Sequence, residues 1–454
     1  MVQPMTTTRP LKVRGLLGNS MSLLALTYMS SLLGYVFWVL CARSVSPGAI
    51  GMANTVIAAM TLVAILAAAG FIPLLTRMLP GATPEEQSGL CSAAFLVTAL
   101  VSGSAGTVAS LLLPDHLRTT IGTGWLIAMV ALGAVGTSSM FVVNASLLGI
   151  RRAELSLLAT AVGSVSRLAA IAVMLTVGAV AVGVDASATH TILVIWIASV
   201  ALSLAIALRS LSRAAPELRF RVHAAAFLRV RNSVGWDHVA TLAVRAPAFV
   251  LPILAATLFP PEQVGYMAVT AMVATVFFSV AAAVSNALLA ECADDPAKLG
   301  AQARRASRLI AALLLVPVVI TCLFATEILS IFGPGYADYR LLLILLLLAT
   351  FPDAVINVAM TVMRIQHRLR LVAFLAVAGA TMSIGGSWLL MPHFGIFGAG
   401  VAVLTAQLTV ALAFAAVGPY RPRIGVRGRT GGGARVPAGI GGEARRDTAE
   451  GVRR

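Results

Sequence analysis

Charge is what this chain has least of. Only 11% of its 454 residues are Asp, Glu, Lys or Arg, where soluble domains carry about a quarter. An ordinary soluble enzyme is excluded. Lysine is almost missing, with two residues against 31 arginines, a bias that points to a GC-rich genome more than to a function. The four cysteines (Cys41, Cys91, Cys292, Cys322) show no CxxC spacing and no Cys/His cluster, which argues against a disulfide framework or a zinc site. The six histidines are scattered without metal-ligand spacing. No Walker motif is present, so direct use of ATP is not indicated.

What the chain has instead is apolar length. Hydrophobic residues make up 59% of it and mean hydropathy is +0.93. Runs of about 18 or more apolar residues recur from end to end, and each is long enough to cross the hydrocarbon as a helix. The pattern predicts an all-α polytopic membrane protein, helical wherever it meets lipid. Twelve spans are expected: 20–40, 50–76, 90–113, 122–149, 154–182, 191–208, 233–258, 264–290, 309–332, 341–363, 371–391 and 395–417. Arg9, Lys12 and Arg14 precede an apolar run with no small-residue cleavage site, read as a retained first helix and not a signal peptide.

With that end inside, the segments between spans hold 28 basic residues on the inner side and three (Arg43, Arg118, Arg340) on the outer. Such asymmetry fixes orientation and places both termini in the cytoplasm. The net charge of +16 is therefore a membrane-sidedness signal, and nucleic acid is not expected as a partner. The outer loops are short, the longest having about eight residues near Gly183 to His190.

One stretch repeats. Ala42 to Arg77 and Ala256 to Glu291 each place a Pro four residues before a Gly, ahead of a long apolar helix, at a constant offset of 214. Nine of the 36 paired positions are identical, mostly Ala or Leu, so the fixed Pro–Gly punctuation carries the inference of duplication. Six spans per copy make the two parallel repeats, related by an axis along the membrane normal. The expected organisation is a cytoplasmic N-terminus (1–19), a six-helix bundle (20–208), a basic linker (209–232), a second six-helix bundle (233–417) and a disordered basic tail (418–454). The tail suits contact with anionic lipid.

Ionisable residues deep in spans are the candidates for function, because a charge at a helix centre costs roughly 2.5–3.5 kcal/mol on insertion scales. Arg167 lies 13 residues after Glu154 and Arg245 lies 12 after Ser233, about 20 and 18 Å along their helices. His238 precedes Arg245 by seven residues and shares its face. Pro247 and Pro252 follow in the same span, each removing a helix hydrogen bond and suiting a gate or hinge. Asp353 sits one turn before Asn357 in the tenth span, and Asp237 lies one turn into the seventh. Two readings stand side by side. In one, the arginines line a cationic cavity that binds an anion, with Asp353, Asp237 and Asn357 as charge partners. In the other, pairs such as Arg245 with Asp353 merely hold helices together. Ser20, Thr27, Ser31 and Gly34 stripe the first span, and Ser138, Ser139, Asn144 and Ser146 group in the fourth; such groups line water or let helices pack closely, and packing is the preferred reading for both.

Four segments carry a family resemblance: ARSVSPGAIGMANTV (42–56), VLPILAATLFPPEQVGYMAVTAMV (250–273), the region from Ile328 to Arg368 with its turn at Phe332, Gly333 and Tyr336, and FGIFGAGVAVLTAQ (394–407). In order and spacing they resemble Wzx-type polysaccharide flippases, in the superfamily that also holds MATE drug exporters and lipid II flippases. The resemblance implies two six-helix bundles around a central cavity. It implies transfer of an undecaprenyl-pyrophosphate-linked oligosaccharide across the bacterial inner (plasma) membrane without covalent catalysis. It gives Arg167, Arg245 and His238 a substrate-binding role and allows glycan-assembly enzymes as partners. No cofactor is implied, and coupling to a Na+ or H+ gradient or to membrane potential stays open; some members of the superfamily couple cations through carboxylates in helices 7 and 10, which would make Asp237 and Asp353, with Asn357, the ion-coupling groups. A MATE-type cation-coupled drug antiporter is the alternative. A glycan polymerase or ligase would need a large outer loop.

Overall fold

The computed structural model describes residues 32–176, 185–217, 235–292 and 299–417. The polar positions 20–31 of the first span, the linker from 218 onward and the tail lie outside the described residues.

In chain order, α1 is described over Leu32–Ser44. Next come α2 (Pro47–Ala68), α3 (Phe71–Met78), α4 (Pro84–Leu112), α5 (Asp115–Ile121), α6 (Thr123–Gly149), α7 (Ala153–Thr176) and α8 (Asp185–Ala214). The second segment holds α9 (Trp236–Leu258), α10 (Pro261–Cys292), α11 (Leu299–Leu323), α12 (Ala325–Ser330), α13 (Arg340–Ile365), α14 (Leu369–Phe394) and α15 (Phe397–Val417). Among the described residues there is no strand. Among the described residues eleven helices are long and apolar enough to cross a membrane, and they fall on eleven of the twelve expected spans.

Local chemistry sets the helix ends. Ser46 caps α2, its hydroxyl accepting from the Ala49 amide at 3.1 Å, and Pro47 fills the first helical position, where its missing N–H costs nothing. Thr83 and Glu86 form a reciprocal capping box at the start of α4. Two expectations are corrected here. The span 50–76 is not one helix: it breaks at Ala69–Gly70 before α3, where Gly70 is a weak helix former and Pro73 cannot donate back to the carbonyl of Ala69. The outer connection before α13 is also longer than expected. Helix α11 stops at Leu323, and residues 324–339 form α12, a Gly-rich turn and a 3-10 turn. Gly333 and Gly335 take φ of 134° and 86°, conformations that suit glycine.

The packing differs between the two ends of the helices. The ends carrying Arg77, Arg151, Arg152, Arg364 and Arg368 define an Arg-rich face; α2 and α10 begin at the opposite, far face. Toward the far face a single core joins both segments: Phe37, Cys41, Ile50 and Ala53 cluster with Val269, Val273, Phe332 and Tyr336. The same core runs on to Ala303 and Val362 near the Arg-rich face, where two further clusters each stay within one segment. Phe71, Leu75, Leu90 and Val142 pack within the first segment, and Ala240, Met360, Met363, Val372 and Phe414 within the second.

The tightest approach in the shared region is between the two Pro–Gly corners. A Cβ on Gly51 would strike the Pro261 carbonyl oxygen, and a Cβ on Gly265 would strike the Pro47 carbonyl oxygen. The contact is reciprocal at the 214-residue offset. In lipid, apolar surface gains little by leaving its solvent, so helix association rests on such close backbone approach.

Candidate functional site

The two deep arginines have different surroundings. Arg167, on α7, reaches inside the first segment. Its Nε donates to the Ser199 hydroxyl of α8 at 3.0 Å. Its guanidinium lies 3.7 Å from the centre of the Trp196 ring and 5.9 Å from that of Phe37 on α1. Trp38 extends the aromatic group, 6.1 Å from Trp196. A cation over a desolvated aromatic face gains up to about 2 kcal/mol. Arg167 is thus held by partners within its own segment.

Arg245 is exposed at the middle of α9. It is the one charged residue lining a groove of about 280 Å³ between the segments, with Leu62, Ile65 and Leu66 of α2, Leu242 and Phe249 of α9, and Val377 of α14. Asp353 is not its partner. That carboxylate is buried between α13 and α15, where its Oδ2 accepts from Asn357 Nδ2 at 2.9 Å and its Oδ1 from Gln407 Nε2 at 3.4 Å. The Arg245–Asp353 pairing considered from the sequence is replaced by a carboxylate held by two amides.

Asp237 does pair with an arginine. Its Oδ1 accepts from Arg364 Nε at 2.7 Å, and Arg364 also reaches Thr241 at 3.4 Å. This joins α9 to α13 at the Arg-rich face. Such a part-exposed pair contributes about 0–1 kcal/mol. His238 lies beside it with Nε2 buried and without a hydrogen-bond partner among the described residues. Pro247 and Pro252 sit within α9, which continues through both. Among the described residues no group of three His, Cys, Asp or Glu could hold a metal ion.

Sequence reading flagged Arg167, Arg245, Asp353 and Asn357 by depth alone. It missed Gln407, Trp196 and Phe37. Gln407 was detectable as the single carboxamide of its span, whose other polar side chains are Thr405 and Thr409. The aromatics gave no signal, because Trp and Phe in a membrane helix are the common case.

No protein-family model and no curated protein matches the sequence. Solved structures do match. An inward-facing multidrug resistance MATE family transporter of the MOP superfamily is similar over 85% of this chain and 92% of its own, at 15% identity and TM-score 0.66. The lipid II flippase MurJ, in an inward closed conformation, is similar over 87% of each chain at 12% identity and TM-score 0.68. An outward-facing MATE transporter is similar at 16% identity, covering 87% of this chain and 92% of its own, with TM-score 0.52. The chain has the fold shared by MATE transporters and MurJ. At these identities the likeness speaks for the fold, and the substrate has to be argued from the residues.

Proposed function

We propose that the chain is a membrane transporter that flips an undecaprenyl-pyrophosphate-linked oligosaccharide from the inner to the outer leaflet by alternating access. The observation that carries this reading is Arg245. An exposed arginine at mid-helix, with no carboxylate partner among the described residues, borders an almost wholly apolar groove between α2 and α9. Arginine binds phosphate oxygens through paired, charge-assisted hydrogen bonds, so the anionic headgroup is its natural counter-charge. The apolar walls suit the adjoining lipid. His238 supplies a second nitrogen on the same helix, and Pro247 and Pro252 free carbonyls that let α9 bend.

In this reading Arg167 fastens the first segment internally, and the substrate-binding role expected for both arginines rests on Arg245. Asp353 with Asn357 and Gln407 forms the candidate coupling site for H+ or Na+. The protein works in the cytoplasmic membrane of a bacterium, beside glycan-assembly enzymes, with its basic tail on anionic lipid.

A second reading is a MATE-type cation-coupled drug antiporter. It is favoured by the buried Asp353 and by the MATE structures, and disfavoured by Arg245, which repels cationic drugs. The test is complementation of a strain lacking its own glycan flippase. Export restored by the wild type and lost in Arg245→Ala, at equal membrane levels, supports the flippase. Drug resistance without glycan export supports the antiporter.

A further inference from the structure

The repeated corners do more than mark a duplication, because they close on each other. The atoms that a Cβ on Gly51 would meet include the Gly265 nitrogen at 2.7 Å, and a Cβ on Gly265 would meet the Pro47 carbonyl carbon at 2.7 Å. All are backbone atoms, which cannot swing aside as the end of a side chain can. Two more contacts bridge the segments at the same face. Arg43, at the end of α1, donates from Nε to the Ile331 carbonyl after α12 at 2.6 Å. Tyr35 packs edge-on against Phe332, with ring centres 5.9 Å apart at 84°. Beneath the crossing Thr55 and Thr270 are fully buried. Toward the Arg-rich face each segment adds a cluster of its own.

We infer that the Gly51–Pro261 and Gly265–Pro47 crossing is the far-face seal of the transport cycle, and that the two glycines set the balance between far-closed and far-open states. The inference rests on the transporter reading above. Glycine allows α2 and α10 to touch at the backbone. Any larger residue penalises the closed state and leaves an open state untouched, so the population shifts toward opening. Both glycines act on one contact across a pseudo-twofold axis. Their substitutions therefore have equal effects, and the double variant gains little over either single, because the first has already parted the corners. Arg43 acts as a weaker latch on the same seal.

The test is thiol accessibility in the full-length protein in membrane vesicles. A single cysteine replaces Thr55, one turn below Gly51, in a background without the four native cysteines. A membrane-impermeant maleimide is added at the far face. Gly51→Val and Gly265→Val are each expected to raise the labelling rate on the order of tenfold, and Arg43→Ala about two- to threefold. A double glycine variant that multiplies the single effects, or glycine variants that insert normally and label at the parent rate, would overturn the inference. If the valine variants fail to insert, Gly51→Ala and Gly265→Ala carry the same test with smaller expected increases. Labelling needs no substrate. A chain that labels as expected but exports no glycan keeps the seal and loses the substrate reading.

Discussion

Arg167 and Arg245 are the same residue at similar depth in opposite segments, and their neighbourhoods differ. Around Arg167 the protein supplies the counter-partners itself: the Trp196 face, the Phe37 ring and the Ser199 hydroxyl. Around Arg245 it supplies leucine, isoleucine, valine and phenylalanine. A buried or mid-membrane charge persists only if something offsets its cost. For Arg167 that something is internal and permanent. For Arg245 no such partner stands among the described residues, and in the proposed function the phosphates of the substrate supply it. The comparison also shows why depth alone is a poor guide to function: it finds expensive residues without telling which of them are satisfied.

Four substitutions test this contrast. The largest effect is expected for Arg245→Ala. Loss of charged hydrogen bonds worth about 1.5–3 kcal/mol lowers substrate affinity roughly 10- to 100-fold. Thermal stability in detergent stays level or rises, because an unpaired mid-span charge is gone. Arg167→Ala should do the reverse. Removing the cation–π stack and the Ser199 bond costs about 2 kcal/mol of stability, seen as a lower melting temperature, while export per inserted molecule changes less than about threefold.

Asp353→Asn comes third. The new amide turns one acceptor into a donor facing Asn357 or Gln407, a loss of about 1–2 kcal/mol. If Asp353 carries the coupling ion, the dependence of transport on the Na+ or H+ gradient disappears, and transport that still follows the gradient rules that role out. Asp237→Asn is the smallest. Losing the Arg364 pair costs about 0–1 kcal/mol, and chemical denaturation should barely register it. A large loss there would move Arg364 and Asp237 from helix fastening to the substrate path.

The sequence reading and the structure agree where a single physical signal decides. Apolar length over about 20 residues located the spans because the bilayer sets that length. It failed at Gly70 and at residues 324–339, where Pro and Gly interrupt a run whose hydropathy stays high. The Pro–Gly repeat was visible as an offset. That its two copies touch was not, because periodicity carries no information about which faces meet. Likewise Arg364 counts as one more basic residue near a helix end until packing brings α13 against α9 and Asp237. Asp353 was visible and its Gln407 partner was not, since 54 residues separate them and only the α13–α15 contact makes them neighbours.

The measurement that bears most directly on the account is the binding of undecaprenyl pyrophosphate to purified protein in lipid nanodiscs, compared for wild type, Arg245→Ala and Arg167→Ala. The account predicts that affinity falls roughly 10- to 100-fold in Arg245→Ala and stays near wild type in folded Arg167→Ala. Equal affinity in wild type and Arg245→Ala, or a loss confined to Arg167→Ala, would contradict it.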